Sequence, residues 1–321
     1  MSNEFSTSGS SWMQDNMSLI GPRKLIDICI TGSHDSGMSK ITGHTLGGTE
    51  CNTITQTHDV GGQLNLGARY FDIRPVITGG GYSTGHYTHV GDTSWQGANG
   101  ETIQEIINGV NAFTSENAEL VILNLSHSLN TDLGNNSYAS FTQDEWNGLF
   151  KMLADETNGL KFLFSMPSDS DLTKQTLETF IGNGKSAVIV IVEGDNVDLS
   201  DYSGKGFYPY SSLNAYNKYS DTNDVNAMMS DQLKKMKEQR EKGSYFLISW
   251  TLTQDAVQAV GCNSPIFPAD SVLDLASTAD SKLLSHLKPA ITQSDYPNII
   301  YIDDIVNRDF VTVAMYANGL I

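Results

Sequence analysis

The chain has 321 residues, 39% of them apolar and 17% charged, with a formal net charge of −18. That is enough apolar material for a sizeable core, in one large α/β domain or two smaller ones. The acidic balance argues against nucleic-acid binding and against electrostatic docking on anionic lipid, and no segment approaches the roughly 18 apolar residues of a membrane span. The three cysteines, Cys29, Cys51 and Cys262, give neither a disulfide framework nor zinc spacing. At most one bridge can form, with Cys51 and Cys262 as candidates, because Cys29 lies in an apolar run and reads as core. The opening Met1-Ser-Asn-Glu-Phe-Ser carries no basic or apolar leader, which fits either a mature exported form or a protein kept inside the cell.

Residues 1–22 are polar, and Trp12, Met13, Met17 and Leu19 fit a short lid helix ahead of Gly21-Pro22. Leu25–Ile30 predicts a first strand that runs into the turn Thr31-Gly-Ser-His-Asp-Ser-Gly37, since a short apolar run ending in Gly reads as a buried strand meeting a turn. His34 and Asp35 at that strand end can form an acid–base pair; a buried histidine beside a turn aspartate is the plainer reading. Residues 38–60 lack periodicity and suit a functional loop or short helices.

Gly67–Val76 predicts the second strand. Alternation puts Asp72 and Arg74 on one face and Phe71 and Ile73 on the other. A carboxylate and a guanidinium on an apolar strand are costly to bury unless paired or working. Tyr82–Tyr87 holds His86, with His89 close behind. Thr102 and Glu105 fit a capping box for a helix whose apolar face is Ile103, Ile106, Ile107, Val110 and Phe113. A strand at Leu120–Ser126 and helices at 141–155 and Leu172–Ile181 precede Ser186–Val192, which is apolar on both faces, as a buried parallel strand is. A helix at Asn223–Met236, a strand at Tyr245–Trp250, a helix at Asp270–Leu287 and a strand at Asn298–Ile305, with Asp303 near its end, complete the series.

Repeated βα alternation without a linker break predicts one α/β domain over residues 1–321, an irregular single (β/α)8 TIM-type barrel. A doubly wound sheet is the runner-up, weakened because no Gly-x-Gly-x-x-Gly follows the first strand. A barrel gathers catalytic groups at the C-terminal strand ends, where His34, Asp35, Asp72, Arg74, His86, Ser126 and Asp303 fall. Two histidines can serve as base and acid, and an arginine can grip a phosphate with two parallel hydrogen bonds. The set suits cleavage of a phosphodiester.

Thr31-Gly-Ser-His-Asp-Ser-Gly37, Gly67-Ala-Arg-Tyr-Phe-Asp-Ile-Arg74, Gly85-His-Tyr87 and Val121-Ile-Leu-Asn-Leu-Ser126 resemble the X-domain signature of phosphatidylinositol-specific phospholipase C in its bacterial form. The resemblance is densest over residues 25–130. It implies that His34 is the general base acting on the inositol 2-hydroxyl and that Asp303 orients it. It makes His86 the general acid for the diacylglycerol oxygen, with Asp35 as its partner. Arg74 would neutralise charge on the phosphoryl oxygens and Asp72 would hold Arg74. Ser126 becomes a substrate contact; in the tyrosine-rich run 202–219 Tyr219 is the candidate ring to stack on inositol, with ordinary packing of a long βα loop as the alternative. The products would be diacylglycerol and inositol 1,2-cyclic phosphate.

The resemblance also implies secretion, a monomer, and brief contact with phosphatidylinositol in membranes through aromatic or apolar groups. Eukaryotic members of the family hold calcium. Here Asp35 and Asp72 keep two of the acidic places, Arg74 replaces a third and Ser126 a fourth. The expectation is therefore no metal, with calcium on Asp35 and Asp72 as the alternative. His89 is the rival to His86, and His44, His58, His127 and His286 read as structural or surface residues. Two other accounts stay open: a metal-dependent glycerophosphodiesterase-like barrel, and a non-catalytic barrel that binds inositol phosphates or glycans.

Overall fold

The apolar runs of the sequence become short strands, most of them buried along their whole length. The computed structural model describes residues 6–90, 94–167, 169–262 and 269–320. Its strands are β1 (Ile30–Ser33), β2 (Gly43–His44), β3 (Tyr70–Ile73), β4 (Pro75–Thr78), β5 (Gly81–Val90), β6 (Ser94–Thr102) and β7 (Leu120–Leu125). They continue with β8 (Leu129–Asn130), β9 (Ala187–Val192), β10 (Phe207–Pro209), β11 (Tyr216–Asn217), β12 (Phe246–Ser249) and β13 (Ile299–Ile302).

Eight of these form one curled sheet in the order β10-β9-β7-β3-β1-β13-β12-β11, and every pairing in it is parallel. The architecture is the expected α/β barrel, with its helices outside. It is irregular in a specific place. Among the described residues no ladder joins β10 to β11, and the links from β9 to β10 and from β10 to β11 carry only single 3-10 turns, Ser200–Tyr202 and Tyr210–Ser212. The β9–β10 link is polar, and Gly204 and Gly206 sit at φ +71° and +90°, a backbone that a helix cannot use.

Several expected boundaries move. Leu25–Asp27 is a 3-10 turn and the first strand starts at Ile30, so it carries Thr31–Ser33 up to His34. The run Gly67–Val76 divides: β3 stops at Ile73, and Pro75, which has no N–H to give a ladder, opens β4. Strand β4 belongs to a second sheet, ordered β2-β6-β5-β4-β8. The helix expected over Leu172–Ile181 is a 3-10 turn, Leu172–Lys174, followed by a separate helix, Leu177–Ile181. The capping box at Thr102 and Glu105 forms as the spacing predicts and starts the helix Ile103–Glu116. Cys51 and Cys262 form a disulfide with their Cα atoms 6.0 Å apart, within the ordinary span of such a bond. Cys29 is free and buried.

The segment expected as a lid is fastened to the opposite end of the barrel. Trp12 and Met13 are fully buried. Trp12 Nε1 donates to the Gly67 carbonyl at 2.9 Å. The Glu119 carboxylate accepts from the backbone N–H groups of Met13 and Gln14 at 3.2 and 2.8 Å and so caps the short helix Trp12–Asp15. Gly67 and Glu119 precede β3 and β7, so residues 9–15 close the floor of the barrel, at the N-terminal strand ends. The anchor is an ion pair, Arg69 Nε to Glu119 Oε2 at 2.8 Å, with both side chains sealed from solvent. Arg69 Nη1 donates to the carbonyls of Leu64 and Ala68 and Nη2 to that of Gly9, and its guanidinium lies over the rings of Trp12 and Phe113.

Removing one partner of a buried pair strands the other charge. Glu119→Ala is expected to lower the unfolding free energy by roughly 3–5 kcal/mol. Urea unfolding checks this; a loss within about 0.5 kcal/mol, as for an ordinary surface change, would show that the floor does not hold the barrel.

Candidate active site

The parallel register brings residues from distant parts of the chain together just past the strand ends. Ser33 pairs with Ile302 across β1 and β13, so the next residues, His34 and Asp303, stand side by side. Ile73 pairs with Leu125 across β3 and β7, which does the same for Arg74 and Ser126. Ser36 N donates to the Asp72 carbonyl at 2.8 Å and ties the His34 turn to β3. The hairpin β4–β5 then folds back over the mouth. Gly85 N donates to the Arg74 carbonyl at 3.0 Å, and His86 follows. Gly37 is required here because β5 passes so close that a Cβ on it would overlap the Thr84 side chain.

Arg74 is the centre of the cluster. Its Nε donates to Asp72 Oδ2 at 3.0 Å, its Nη1 to Asp35 Oδ2 at 3.3 Å and its Nη2 to His34 Nε2 at 2.7 Å. His34 therefore carries its proton on Nδ1 and gives it to Asp303 Oδ1 at 2.7 Å. His86 Nδ1 lies 2.5 Å from Asp35 Oδ2. Two histidine–carboxylate pairs thus flank one guanidinium. Side-chain exposure divides the two kinds of group. His34, His86 and Arg74 keep 22%, 27% and 17%, whereas Asp35 and Asp303 keep 0% and 2%. The carboxylates support from below, and the nitrogens face the mouth.

The electrostatics follow from these contacts. Burial opposes a charge on His34 and Arg74 repels it, but the Asp303 carboxylate, through its charge and its hydrogen bond, and the Asp72 carboxylate together outweigh both and raise its affinity for a proton above the ordinary 6.5. Burial also opposes the charge on Asp72 and Asp35. Arg74 overcomes it in both, with help from His34 at Asp72 and from His86 at Asp35, and holds both carboxyls below their usual range. Asp72 is further fixed by Ser126 Oγ at 2.5 Å and by the Tyr301 hydroxyl at 2.8 Å.

His34, Asp35, Asp72, Arg74, His86, Ser126 and Asp303 all come together. Ser126 meets Asp72 rather than facing an open space. His89 does not join them: its ring packs edge-on against Trp95, with centroids 5.0 Å apart, out along β5. Tyr219 stands exposed beyond β11, and among the described residues its side chain makes no hydrogen bond or ring contact with the cluster. Sequence reasoning missed Tyr301, although it shares a strand face with Asp303 by simple alternation. It also set aside His127, which lines a recess of about 190 Å³ beside Arg74 and whose Nδ1 lies 2.8 Å from Ser126 Oγ.

The donor set does not suit calcium, which takes six to eight oxygens. Both oxygens of Asp72 are committed, and the guanidinium lies between Asp72 and Asp35 where a cation would sit. Among the described residues no group of three or more His, Cys, Asp or Glu is arranged to hold a metal.

No protein-family model matches the chain, and no curated protein does. Solved structures do. A variant of the phosphatidylinositol-specific phospholipase C of Staphylococcus aureus superposes with a TM-score of 0.67 at 17% identity, covering 98% of both chains. The phosphatidylinositol-specific phospholipase C of Listeria monocytogenes superposes with a TM-score of 0.61 at 13% identity, over 96% of this chain and 98% of its own. The fold is that of the bacterial phosphatidylinositol-specific phospholipases C. The match runs along nearly the whole phospholipase backbone, while the identity is so low that what each side chain does rests on the geometry of this site.

That geometry makes His34 readable on its own. Its imidazole is expected to titrate above 6.5, and Asp303→Asn is expected to lower that value. Nitrogen-15 NMR of labelled histidine checks both; a value unchanged by Asp303→Asn would show that the carboxylate does not govern this ring.

Proposed function

We propose that the protein is a phosphatidylinositol-specific phospholipase C that releases diacylglycerol and inositol 1,2-cyclic phosphate. The reading is supported above all by the two histidine–carboxylate pairs set on either side of Arg74. Acid–base cleavage of a phosphodiester needs one group to remove a proton, another to supply one, and a positive charge between them.

His34 Nε2 takes the proton of the inositol 2-hydroxyl, whose oxygen then forms a bond to phosphorus. The bond from phosphorus to the glycerol oxygen breaks, and His86 gives that oxygen a proton from Nε2. Asp303 steadies the imidazolium that forms on His34, and Asp35 keeps His86 Nδ1 engaged. Without substrate, Arg74 Nη2 occupies His34 Nε2. The incoming phosphate competes for the guanidinium and draws it away, which frees the base only when a substrate is present. The guanidinium supplies the charge that a metal would otherwise bring, so the reaction proceeds without one. Asp72, gripped by Ser126 and Tyr301, keeps Arg74 in place.

The apolar rim suits brief contact with a lipid surface. Leu46, Val257 and Val260 are 99%, 80% and 85% exposed. They lie on two segments joined by the Cys51–Cys262 disulfide and by Asn52 Nδ2 donating to the Ala259 carbonyl at 3.0 Å. Among the described residues no helix is long and apolar enough to cross a membrane, and the −18 charge leaves apolar contact as the attraction.

Phosphorus NMR of phosphatidylinositol turnover, in excess chelator and with added calcium, tests the reaction. Cyclic phosphate is expected in chelator, with His34→Ala and His86→Ala each slower by roughly 100- to 10,000-fold and Arg74→Met by about 100- to 1,000-fold. Because the base must be neutral, the rate is expected to rise with pH through a midpoint above 6.5. Activity only with calcium, or no cyclic product under either condition, would refute the mechanism. At the rim, Val257→Asp together with Val260→Asp is expected to weaken binding to phosphatidylinositol vesicles and to spare cleavage of a soluble short-chain substrate. A steep loss of wild-type binding on adding salt would point instead to charge.

A further inference from the structure

Four neighbouring strands of the parallel sheet end in the same way. The residue after each belongs to the cluster: His34 after β1, Arg74 after β3, Ser126 after β7 and Asp303 after β13. One place further on, Asp35, His127 and Asp304 have φ of +40°, +49° and +45°. At β3 that place is taken by Pro75, whose ring forbids such an angle. The left-handed backbone is costly for a residue with a side chain and persists where the surroundings hold it. At Asp35 the site itself holds it, because the carboxylate meets Arg74 and His86. Asp304 Oδ1 accepts from the Thr57 N–H at 2.9 Å. His127 is the third such residue, and the acid–base chemistry gives it no task.

In an extended strand consecutive side chains point to opposite faces. The turn of the backbone at His127 breaks that rule and brings its ring back beside Ser126, with Nδ1 2.8 Å from Ser126 Oγ. The serine hydroxyl has one proton, and it goes to Asp72 Oδ1 at 2.5 Å, a carboxylate that Arg74 keeps ionised against burial. The serine oxygen therefore accepts, and His127 donates from Nδ1. Burial, and after it the charge of Arg74, disfavours a second proton on the ring. The donor is thus neutral and does not compete with Arg74 for Asp72. The hydrogen bonds run one way, from His127 to Ser126 to Asp72, whose Oδ2 accepts from Arg74 Nε. With a bare Nδ1 in its place, the serine proton would have a second acceptor and could leave Asp72.

We propose that His127 is a positioning residue: by donating to Ser126 it fixes the direction of the serine proton, and through Asp72 it sets the guanidinium of Arg74. The effect on rate rests on the phospholipase reading. The effect on His34, which Arg74 Nη2 meets in the free protein, does not.

The test uses two changes that suit a left-handed backbone. His127→Gly removes the ring, and His127→Asn returns a short side chain with an N–H to give. Cleavage of soluble short-chain phosphatidylinositol is followed beside nitrogen-15 NMR of the His34 ring in the free protein. His127→Gly is expected to lower kcat about fivefold or more, the worth of one hydrogen bond, with KM unchanged, and to move the His34 Nε2 signal. His127→Asn is expected to return most of both. Ser126→Ala is expected to cause a similar loss, and His127→Gly added to it no further loss, because two members of one relay are not additive. A full further loss in the Ser126→Ala background, or a rise in KM with kcat unchanged, would show that the ring meets substrate directly and would overturn the proposal. So would a His34 signal that stays in place in His127→Gly. Failure of the wild-type protein to cleave would sink the phospholipase reading alone, and the His34 signal would still decide the relay.

Discussion

The mouth of this barrel depends on one guanidinium. Asp35 and Asp72 lie close together in a region with almost no water, and two carboxylates there would repel each other and take up protons. Arg74 prevents this by donating to both. It then reaches past them to His34 Nε2, which settles where the histidine proton sits and hence which nitrogen can act as a base. The charge balance follows from that one side chain, and it shares with Asp303 the setting of the tautomer and orientation of the base. It can reach all three because it sits at the bend where the chain leaves one sheet for the other.

That bend also explains the division of labour between the sheets. The parallel sheet places His34, Asp72, Ser126 and Asp303 at neighbouring strand ends, as a barrel does by its register. It cannot by itself bring a histidine to the far side of the arginine. The antiparallel hairpin does so, because its first residues pair directly with the residues that follow Arg74. At the other end of the barrel the polar groups serve stability instead: Arg69 and Glu119 are fully sealed and face no open space.

Much of this could be read in the residues. The alternation of Asp72 with Arg74, the His34-Asp35 turn, the apolar run of β9 and the capping box at Thr102 are local patterns, and local patterns report local structure. Register is not local. Nothing around His86 or His89 distinguishes them until the hairpin pairing puts one over Asp35 and the other against Trp95. The role of residues 9–15 was hidden for the same reason, since an amphipathic stretch looks alike whether it covers the mouth or the floor, and only its contacts with Gly67 and Glu119 decide. The missing helices beside β10 follow from the glycine-rich, polar stretch before it.

The floor has a geometric consequence for anything joined to this chain. Gly9 accepts a hydrogen bond from Arg69, and near the other end Asn318 holds both the N–H and the carbonyl of Cys29, at the start of the first strand. Both ends of the described chain therefore emerge on the side away from the catalytic mouth. A tag, a tether or a fused domain at either terminus would hang behind the barrel, and immobilising the protein by either end would present the mouth outward.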